Sequence, residues 1–175
     1  TDIAIKTINP NAKNRIKEWQ KKAVKDAVTT ISKNIRAYDP AIEISVDTLV
    51  NDDLWGQFGA DATTWLNEGL VDIAYHMDYQ ESLNVSFIKR AYKTINDPEK
   101  MVVLFGAYDF KKGVPVARGV DVFQKNYSDA VSLSPVDSFG VYEYRFLTPE
   151  TINFLHQKIL KRAPSAPVIS IQENN

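Results

Sequence analysis

The hydrophobic positions of the chain predict one long amphipathic helix followed by four strand–helix repeats. Over residues 16–35, apolar side chains recur every three or four positions, which is the spacing of one helix face. We expect this helix to end before Pro40, because the residue that precedes a proline avoids helical backbone angles. We expect this face, and also Trp65 in the next predicted helix, to pack in the core. The positions on the face are Ile16, Trp19, Ala23, Ala27, Val28, Ile31 and Ile35.

Four later segments predict strands, and helices fill the intervals between them. The first segment alternates apolar and polar residues, whereas the third is almost continuously apolar, which is typical of a strand covered on both faces. Residues 111–116, which follow the third segment, are expected to form a loop. The predicted strands cover residues 41–47, 70–79, 101–110 and 138–147, and the predicted helices after them cover 60–67, 86–95, 117–131 and 149–162.

Strands that alternate with helices predict a parallel sheet joined by right-handed crossovers. Two α/β architectures have this order: the C-terminal half of a (β/α)8 TIM barrel, with four of its strands, and a small open doubly wound sheet. A complete barrel needs about 250 residues, which is more than this chain contains. We therefore expect a single α/β domain over residues 1–162 and a tail or linker over 163–175.

The polarity of the strands favours the half barrel. In the first two predicted strands, Asp47, His76 and Asp78 alternate with apolar neighbours such as Val46 and Tyr75. We expect the apolar set to face the helices and the polar set to face the opposite side of the sheet. In a doubly wound sheet that opposite side would also be covered by helices and apolar. A polar second face is instead expected near the mouth of a barrel interior.

Composition and charge exclude several classes of protein. The chain is 44% hydrophobic and 25% charged, which is ordinary for a globular domain, and its net charge of −1 argues against general nucleic-acid binding. With no cysteine, it has neither disulfides nor thiolate chemistry. It contains no apolar run of about 20 residues and no signal-peptide pattern. We therefore expect no membrane span, and a secreted or cell-envelope location through a signal outside this chain.

The basic residues concentrated in the first helix are interpreted as a solvated face.

The remaining candidates for chemistry are carboxylates and aromatic rings at strand ends. No glycine-rich phosphate loop, nucleophile elbow or metal-spaced histidine pair is present, so we expect neither a cofactor nor a metal. Two carboxyl groups across a sugar can act as acid and base, and aromatic rings can stack on sugar C–H groups. The candidate catalytic residues are Asp78, Asp47 and Glu143, and the candidate substrate contacts are His76, Tyr79, Trp55, Tyr108, Asp109, Tyr142 and Arg145.

The stretch WLNEGLVDIAYHMDYQ resembles the sixth-strand region of glycosyl-hydrolase-like family 10 barrels. The preceding EWQKKAVKDAVTTISKNIRAYDPAIEISVD is similar to that family's long helix and fifth strand, and VVLFGAYDF and SFGVYEYRFL occupy the places of its last two strands. The resemblance covers roughly residues 15–160 and implies strands five to eight of a TIM barrel. It also implies that Tyr79 contacts the substrate. The stretch MDY is similar to the sixth strand of family 18 chitinases.

Two departures from the family 10 pattern are evident. The family's Pro-Gln-x-Tyr is replaced by His76, Met77, Asp78 and Tyr79, and its acidic fourth strand has no counterpart in this chain. The resemblance therefore implies part of a glycoside hydrolase acting on O-glycosidic bonds of a carbohydrate substrate, with the N-terminal half of the same barrel as partner. The alternatives are a catalytically inert carbohydrate-binding relative and a small doubly wound binding domain.

Overall fold

A four-stranded parallel sheet forms the centre of the fold, and its strands lie side by side in the order in which they occur in the chain. The computed structural model describes residues 10–51 and 58–162. Two further strands form a separate antiparallel hairpin. The strands are β1 (Ser45–Thr48), β2 (Ile73–Asp78), β3 (Met101–Gly106), β4 (Tyr108–Lys111), β5 (Val114–Ala117) and β6 (Gly140–Tyr142).

Helices follow the strands of the main sheet, as the hydrophobic pattern predicts. Single turns of 3₁₀ helix lie at Pro98–Lys100 and Tyr144–Phe146. Among the described helices, none combines the length and the hydropathy that a bilayer-spanning segment requires. The α-helices are α1 (Pro10–Tyr38), α2 (Ala62–Asn67), α3 (Val85–Tyr92), α4 (Val120–Leu133) and α5 (Pro149–Arg162).

The order of the strands distinguishes the two expected architectures. β1 pairs with β2, β2 with β3, and β3 with β6, in each case in parallel. Right-handed crossovers between strands in this unbroken order place every connecting helix on the same face of the sheet. A doubly wound sheet reverses its order at a switch point and carries helices on both faces. The half-barrel prediction is therefore confirmed.

The outer strands of the sheet are open. Within residues 10–51 and 58–162, β1 and β6 each have one edge that pairs with no other strand. A barrel is closed by joining such edges through further strands. The sheet therefore has an outer face covered by helices and an open face that corresponds to a barrel interior.

The core lies between the sheet and the helices. All six residues of β3 are buried. Phe105 of β3 packs edge-on against Phe123 of α4 with their ring centroids 5.3 Å apart, and Ile88 of α3 is fully buried in the same cluster. Each such side chain contributes about 1.5–3 kcal/mol through burial. Trp65 of α2 also belongs to this core, as predicted.

The core-facing side of α1 differs from the predicted one. Trp19 is 69% exposed and Ile31 is 56% exposed, so the prediction that Trp19 lies in the core is wrong. The side facing the core carries Val24 and Val28, with Ser32 buried. The helix has apolar residues on two sides, and the periodicity alone does not show which side the sheet covers.

The basic residues of α1 also form more contacts than a solvated face would. Lys21 lies 3.8 Å from Asp61 and Lys25 pairs with Glu68, and these two carboxylates stand at opposite ends of α2. The lysines therefore help to align α1 along α2.

The third predicted strand is too long. β3 ends at Gly106, and residues 108–117 form the antiparallel hairpin β4–β5 where a strand end and a loop were expected. Lys112 and Gly113 have positive φ angles of 53° and 79°, which is typical of a two-residue hairpin turn. The hairpin begins at the carboxyl end of β3, where ligands bind in parallel α/β folds.

An ion pair joins α1 to the start of the sheet. Arg36 Nη2 lies 3.0 Å from both carboxylate oxygens of Asp72, and Asp72 also accepts the backbone N–H of Ile44 at 2.8 Å. Partial burial raises the pKa of Asp72, but the hydrogen bond from Ile44 and the Arg36 guanidinium outweigh it, so the net pKa is lowered.

The Asp72 carboxylate should therefore stabilise the fold at neutral pH. Because its folded-state pKa is lowered, this stabilisation is present above its unfolded pKa and is lost as the pH falls through the folded value. Asp72→Asn should reduce the free energy of unfolding by about 1–2 kcal/mol near neutrality, and the difference should shrink below about pH 4. Urea denaturation at several pH values measures this.

Asp26→Asn is the control, because it disrupts the exposed pair with Lys22 and should change stability by less than about 0.5 kcal/mol. Equal effects of the two variants would contradict the expectation.

Candidate functional site

The register and burial of the strands show which side chains point to the open face. On β1, Ser45 and Asp47 are exposed whereas Thr48 is buried. Asp47 is in register with Tyr75 of β2, which is only partly buried. Asp47 therefore lies on the open face, as its position in the alternating pattern predicts.

The orientation predicted for β2 is wrong. His76 and Asp78 are buried and point toward the helices, not toward the open face. His76 is in register with Thr48 and Val103, which are also buried, and its ring lies 5.3 Å from that of Phe87 in α3. The sequence pattern misleads because, on the helix side of the sheet, backbone N–H groups donate hydrogen bonds to His76 Nδ1 and to the Asp78 carboxylate.

Two loops supply these backbone groups. His76 Nδ1 accepts the backbone N–H of Val50 at 3.0 Å, which fixes the loop after β1. Asp78 accepts the backbone N–H of Asn84 at 2.7 Å and that of Gln80 at 3.3 Å, which shapes the connection from β2 to α3. Asn84 in turn accepts the N–H of Phe87 and caps α3.

The surroundings of Asp78 favour its protonated form more than water does for an ordinary aspartic acid. Burial raises the pKa of Asp78, and the backbone hydrogen bonds from Asn84 and Gln80 and the charge of Arg118 offset this only in part. The carboxyl group lines a cavity of about 420 Å³ at the carboxyl end of β2, together with Tyr79. Asp78 is thus a buried carboxyl group with access to a cavity, although it is not on the open face.

Three tyrosines from three strand ends meet on the open side, and we refer to them as the tyrosine cluster: Tyr79, Tyr108 and Tyr142. The rings of Tyr79 and Tyr142 are stacked at 5.1 Å with an angle of 21°. Tyr108 lies 6.1 Å from Tyr79 and 6.3 Å from Tyr142. The three rings therefore lie together at the carboxyl edge of the sheet, and their role as substrate contacts stays a prediction.

Carboxylates stand beside the cluster. Burial raises the pKa of Tyr79 to about 12, and the charge of Asp47 adds to this effect. Burial also raises the pKa of Tyr108, with further contributions from Tyr142 and Glu143, while Arg118 opposes it. The phenols of Tyr79 and Tyr108 therefore stay protonated and can donate hydrogen bonds at neutral pH, with Asp47 near Tyr79 and Glu143 near Tyr108.

The other predicted substrate contacts have partners of their own. Arg145 Nε lies 2.9 Å from Glu143, and the guanidinium stacks over Phe146. Asp109 accepts two hydrogen bonds from Arg118 through one carboxylate oxygen. Trp55 lies outside the described residues, as does the predicted tail.

Arg118 is a residue that the sequence did not indicate. Its side chain is fully buried behind the tyrosine cluster. One of its hydrogen-bond partners, Tyr79, lies 39 residues away in the chain. No local spacing marks such a residue, because its environment exists only after the strand ends have come together.

The groups in this region suit proton transfer and hydrogen bonding. Within the two described ranges, no set of three or more His, Asp or Glu side chains is arranged to hold a metal ion. The site offers carboxyl groups, protonated phenols and aromatic ring faces. Such groups can orient a polar ligand that also has apolar C–H faces.

A comparison with solved structures shows a likeness in fold. The PgaB (BpsB) glycoside hydrolase domain from Bordetella bronchiseptica aligns with 91% of this chain, with a TM-score of 0.62 and 13% sequence identity. The aligned part is 46% of that chain, so the present chain spans less than half of its length. No family model and no curated protein matches the sequence. The comparison therefore shows a shared fold, whereas membership of glycosyl-hydrolase-like family 10 stays a prediction.

Tyrosine titration should report the buried position of Tyr79. Because its pKa of about 12 lies above the ordinary value of 10.0, stability that depends on the neutral phenol is present below pH 10 and is lost as the pH rises toward 12. In NMR spectra of ring-labelled tyrosine, Tyr79→Phe should remove the signal that titrates last. Far-UV circular dichroism at each pH confirms that the chain remains folded. Loss of a signal that titrates near pH 10 would contradict the burial of Tyr79.

Proposed function

We propose that this chain forms the substrate-binding half of a glycoside hydrolase-type barrel that acts on O-glycosidic bonds of a poly- or oligosaccharide. The observation that carries this proposal is the tyrosine cluster at the carboxyl end of the parallel strands, with Asp47 and Glu143 beside it. The shared fold with a glycoside hydrolase domain is consistent with it.

The chemistry of the cluster fits a sugar. Each pyranose ring has apolar C–H faces and polar hydroxyl groups at its rim, and a tyrosine ring likewise joins an apolar face to a polar tip. Tyr142 is partly exposed, so its ring remains accessible. The phenols of Tyr79 and Tyr108 donate hydrogen bonds at neutral pH. His76 faces the helices, so we propose that it supports the loop after β1.

The carboxylates indicate how the chain takes part in hydrolysis. Asp47 on β1 and Glu143 after β6 are separated by three strand spacings, or about 14 Å along the sheet. A glycosidase needs two carboxyl groups about 5–9.5 Å apart. We therefore propose that Asp47 or Glu143 acts with a carboxyl group from the other half of the barrel. Asp78 is proposed to support the site through the loop that carries Tyr79.

One set of contacts favours a second candidate function, an inert carbohydrate-binding relative. Glu143 is neutralised by Arg145, and Asp78 is held by two backbone N–H groups. Asp47 differs from both, because its described influence is the effect of its charge on Tyr79 of the tyrosine cluster. Release of reducing sugar by the protein that contains both barrel halves distinguishes the two functions. In an enzyme, either Asp47→Asn or Glu143→Gln should abolish this release, and the variant that does so identifies the carboxylate that takes part.

Removal of one ring tests the binding site directly. Tyr142→Ala should weaken the binding of soluble oligomers of glucose, xylose, mannose or N-acetylglucosamine by about tenfold, because stacking surface is lost. Isothermal titration calorimetry measures this. Tyr38→Ala is the matched control, because Tyr38 is an exposed tyrosine that precedes β1 and so lies away from the carboxyl edge. Absence of binding to every oligomer by the unmodified protein would contradict the proposal.

The N-terminal half of the same barrel is the proposed partner. Among the described residues the sheet is open at β1 and β6, and α1 carries the exposed side chain of Trp19 on the side away from its core contacts at Val24 and Val28. In a barrel, neighbouring helices form a continuous outer ring. The helix of the preceding unit would cover this side of α1.

Trp19 should therefore be buried in the intact protein. There, Trp19→Ser should lower the free energy of unfolding by about 3 kcal/mol, as expected for loss of a large buried side chain. Val136→Ser, at another partly exposed apolar residue, is the control and should change it by less than about 0.5 kcal/mol. Denaturant titration provides the measurement. An equally small effect at Trp19 would show that no partner covers α1.

A further inference from the structure

Arg118 is a buried cation at the carboxyl edge of the sheet, immediately after the β4–β5 hairpin. We infer that Arg118 is a positioning residue that holds two members of the tyrosine cluster, Tyr79 and Tyr108, in the arrangement required for ligand binding. The ligand class, a carbohydrate, rests on the proposed function, whereas the arrangement of the rings does not.

The contacts of Arg118 join separate parts of the chain. Its Nη2 donates to the carbonyl oxygen of Tyr108 at 2.8 Å, and the carbonyl oxygen of Tyr79, at 3.3 Å, shares one of the two Nη2 hydrogens in a longer contact. Its backbone N–H donates to Ala107 at 2.9 Å. One side chain thus connects the end of β2, the start of the hairpin and the end of the hairpin.

Asp109 makes this burial tolerable. Its carboxylate accepts from Arg118 Nε at 2.9 Å and from Nη2 at 2.7 Å, while keeping part of its surface in contact with solvent. A buried charge requires such a partner and further hydrogen bonds. The two carbonyl groups belong to Tyr79 and Tyr108 themselves. Holding them therefore also fixes the backbone position from which each tyrosine side chain extends.

An arginine suits this role better than a lysine. The planar guanidinium directs several N–H groups along fixed directions, so it can bind a carboxylate and two carbonyl groups at once. A lysine ammonium keeps the charge but lacks this fixed geometry. Substitution by lysine should therefore preserve charge compensation and only part of the positioning.

The charge of Arg118 also acts to lower the pKa values of two neighbouring groups, Asp78 and Tyr108, which lie on different sides of the sheet. Burial is the largest influence on the pKa values of Asp78 and Tyr108 and raises both, and the Arg118 charge opposes it in each case. Asp78 faces the helices, whereas Tyr108 belongs to the open side. The charge of Arg118 therefore influences a carboxyl group at the cavity and a phenol of the tyrosine cluster.

The test compares Arg118→Met and Arg118→Lys with Arg36→Met in the intact protein. Arg36→Met removes the other partly buried arginine–aspartate pair, at the opposite end of the sheet. Near-UV circular dichroism reports the tyrosine packing, far-UV circular dichroism reports folding, and calorimetry with the oligosaccharides named above reports binding.

We expect Arg118→Met to lose tyrosine near-UV signal and to bind about tenfold more weakly. Arg118→Lys should be intermediate, and Arg36→Met should lower Tm without changing the near-UV signal or the Kd.

The outcomes separate the two proposals. A folded Arg118→Met variant with unchanged tyrosine signal overturns the positioning role. Lost signal in a protein that binds no saccharide supports the positioning role and overturns the carbohydrate function. Lost signal with an unchanged Kd shows that the arrangement does not serve binding, which also overturns the inference. If Arg118→Met fails to fold, the same criteria apply to Arg118→Lys.

Discussion

Successive strands of the sheet lie next to one another, and right-handed crossovers therefore carry every connecting helix to the same side. This arrangement leaves the opposite side of the sheet without helices. It also brings the loops that follow the strands to a single edge. Tyr79, Tyr108 and Tyr142 meet for this reason, although they follow different strands. The topology thus creates both the candidate site and the unpaired outer edges that β1 and β6 have among the described residues.

Buried polar contacts secure the two ends of the sheet. At the amino end, Asp72 connects α1 to β1 through Arg36 and the backbone of Ile44. At the carboxyl end, Asp78 holds the loop before α3, and Arg118 connects that region to the hairpin. In each case a charged group binds backbone or an opposite charge; Asp78 and Arg118 are buried, where an unmet partner is costly, and the Arg36–Asp72 pair is partly buried. These contacts fix loops that apolar packing alone would leave free.

Much of the fold follows from local patterns. The 3.6-residue periodicity locates α1, and the apolar run at 101–106 locates β3. The same patterns fail where long-range packing decides. Trp19 and Val24 are equally plausible core residues by spacing, and the sheet covers only the side with Val24. Alternation in β2 suggests polar groups on the open face, but on the helix side the backbone N–H of Val50 binds His76 Nδ1, and backbone N–H groups of the loop after β2 bind Asp78. The tyrosines were predictable from strand ends, whereas Arg118 acquires its partners only in the folded chain.

The open edge of β6 has a consequence for folding. Each strand of the four-stranded sheet pairs with the next strand of that sheet along the chain, so these pairings can form progressively, one strand–helix unit at a time. In a complete barrel the last strand must instead pair with the first, which is the contact with the greatest sequence separation. Loop-closure entropy and contact order make such a pairing slow to form. With only three residues, β6 also contributes few ladder hydrogen bonds. The seam beside β6 would thus be the last part of the barrel to close, and the place where hydrogen exchange first reveals its opening.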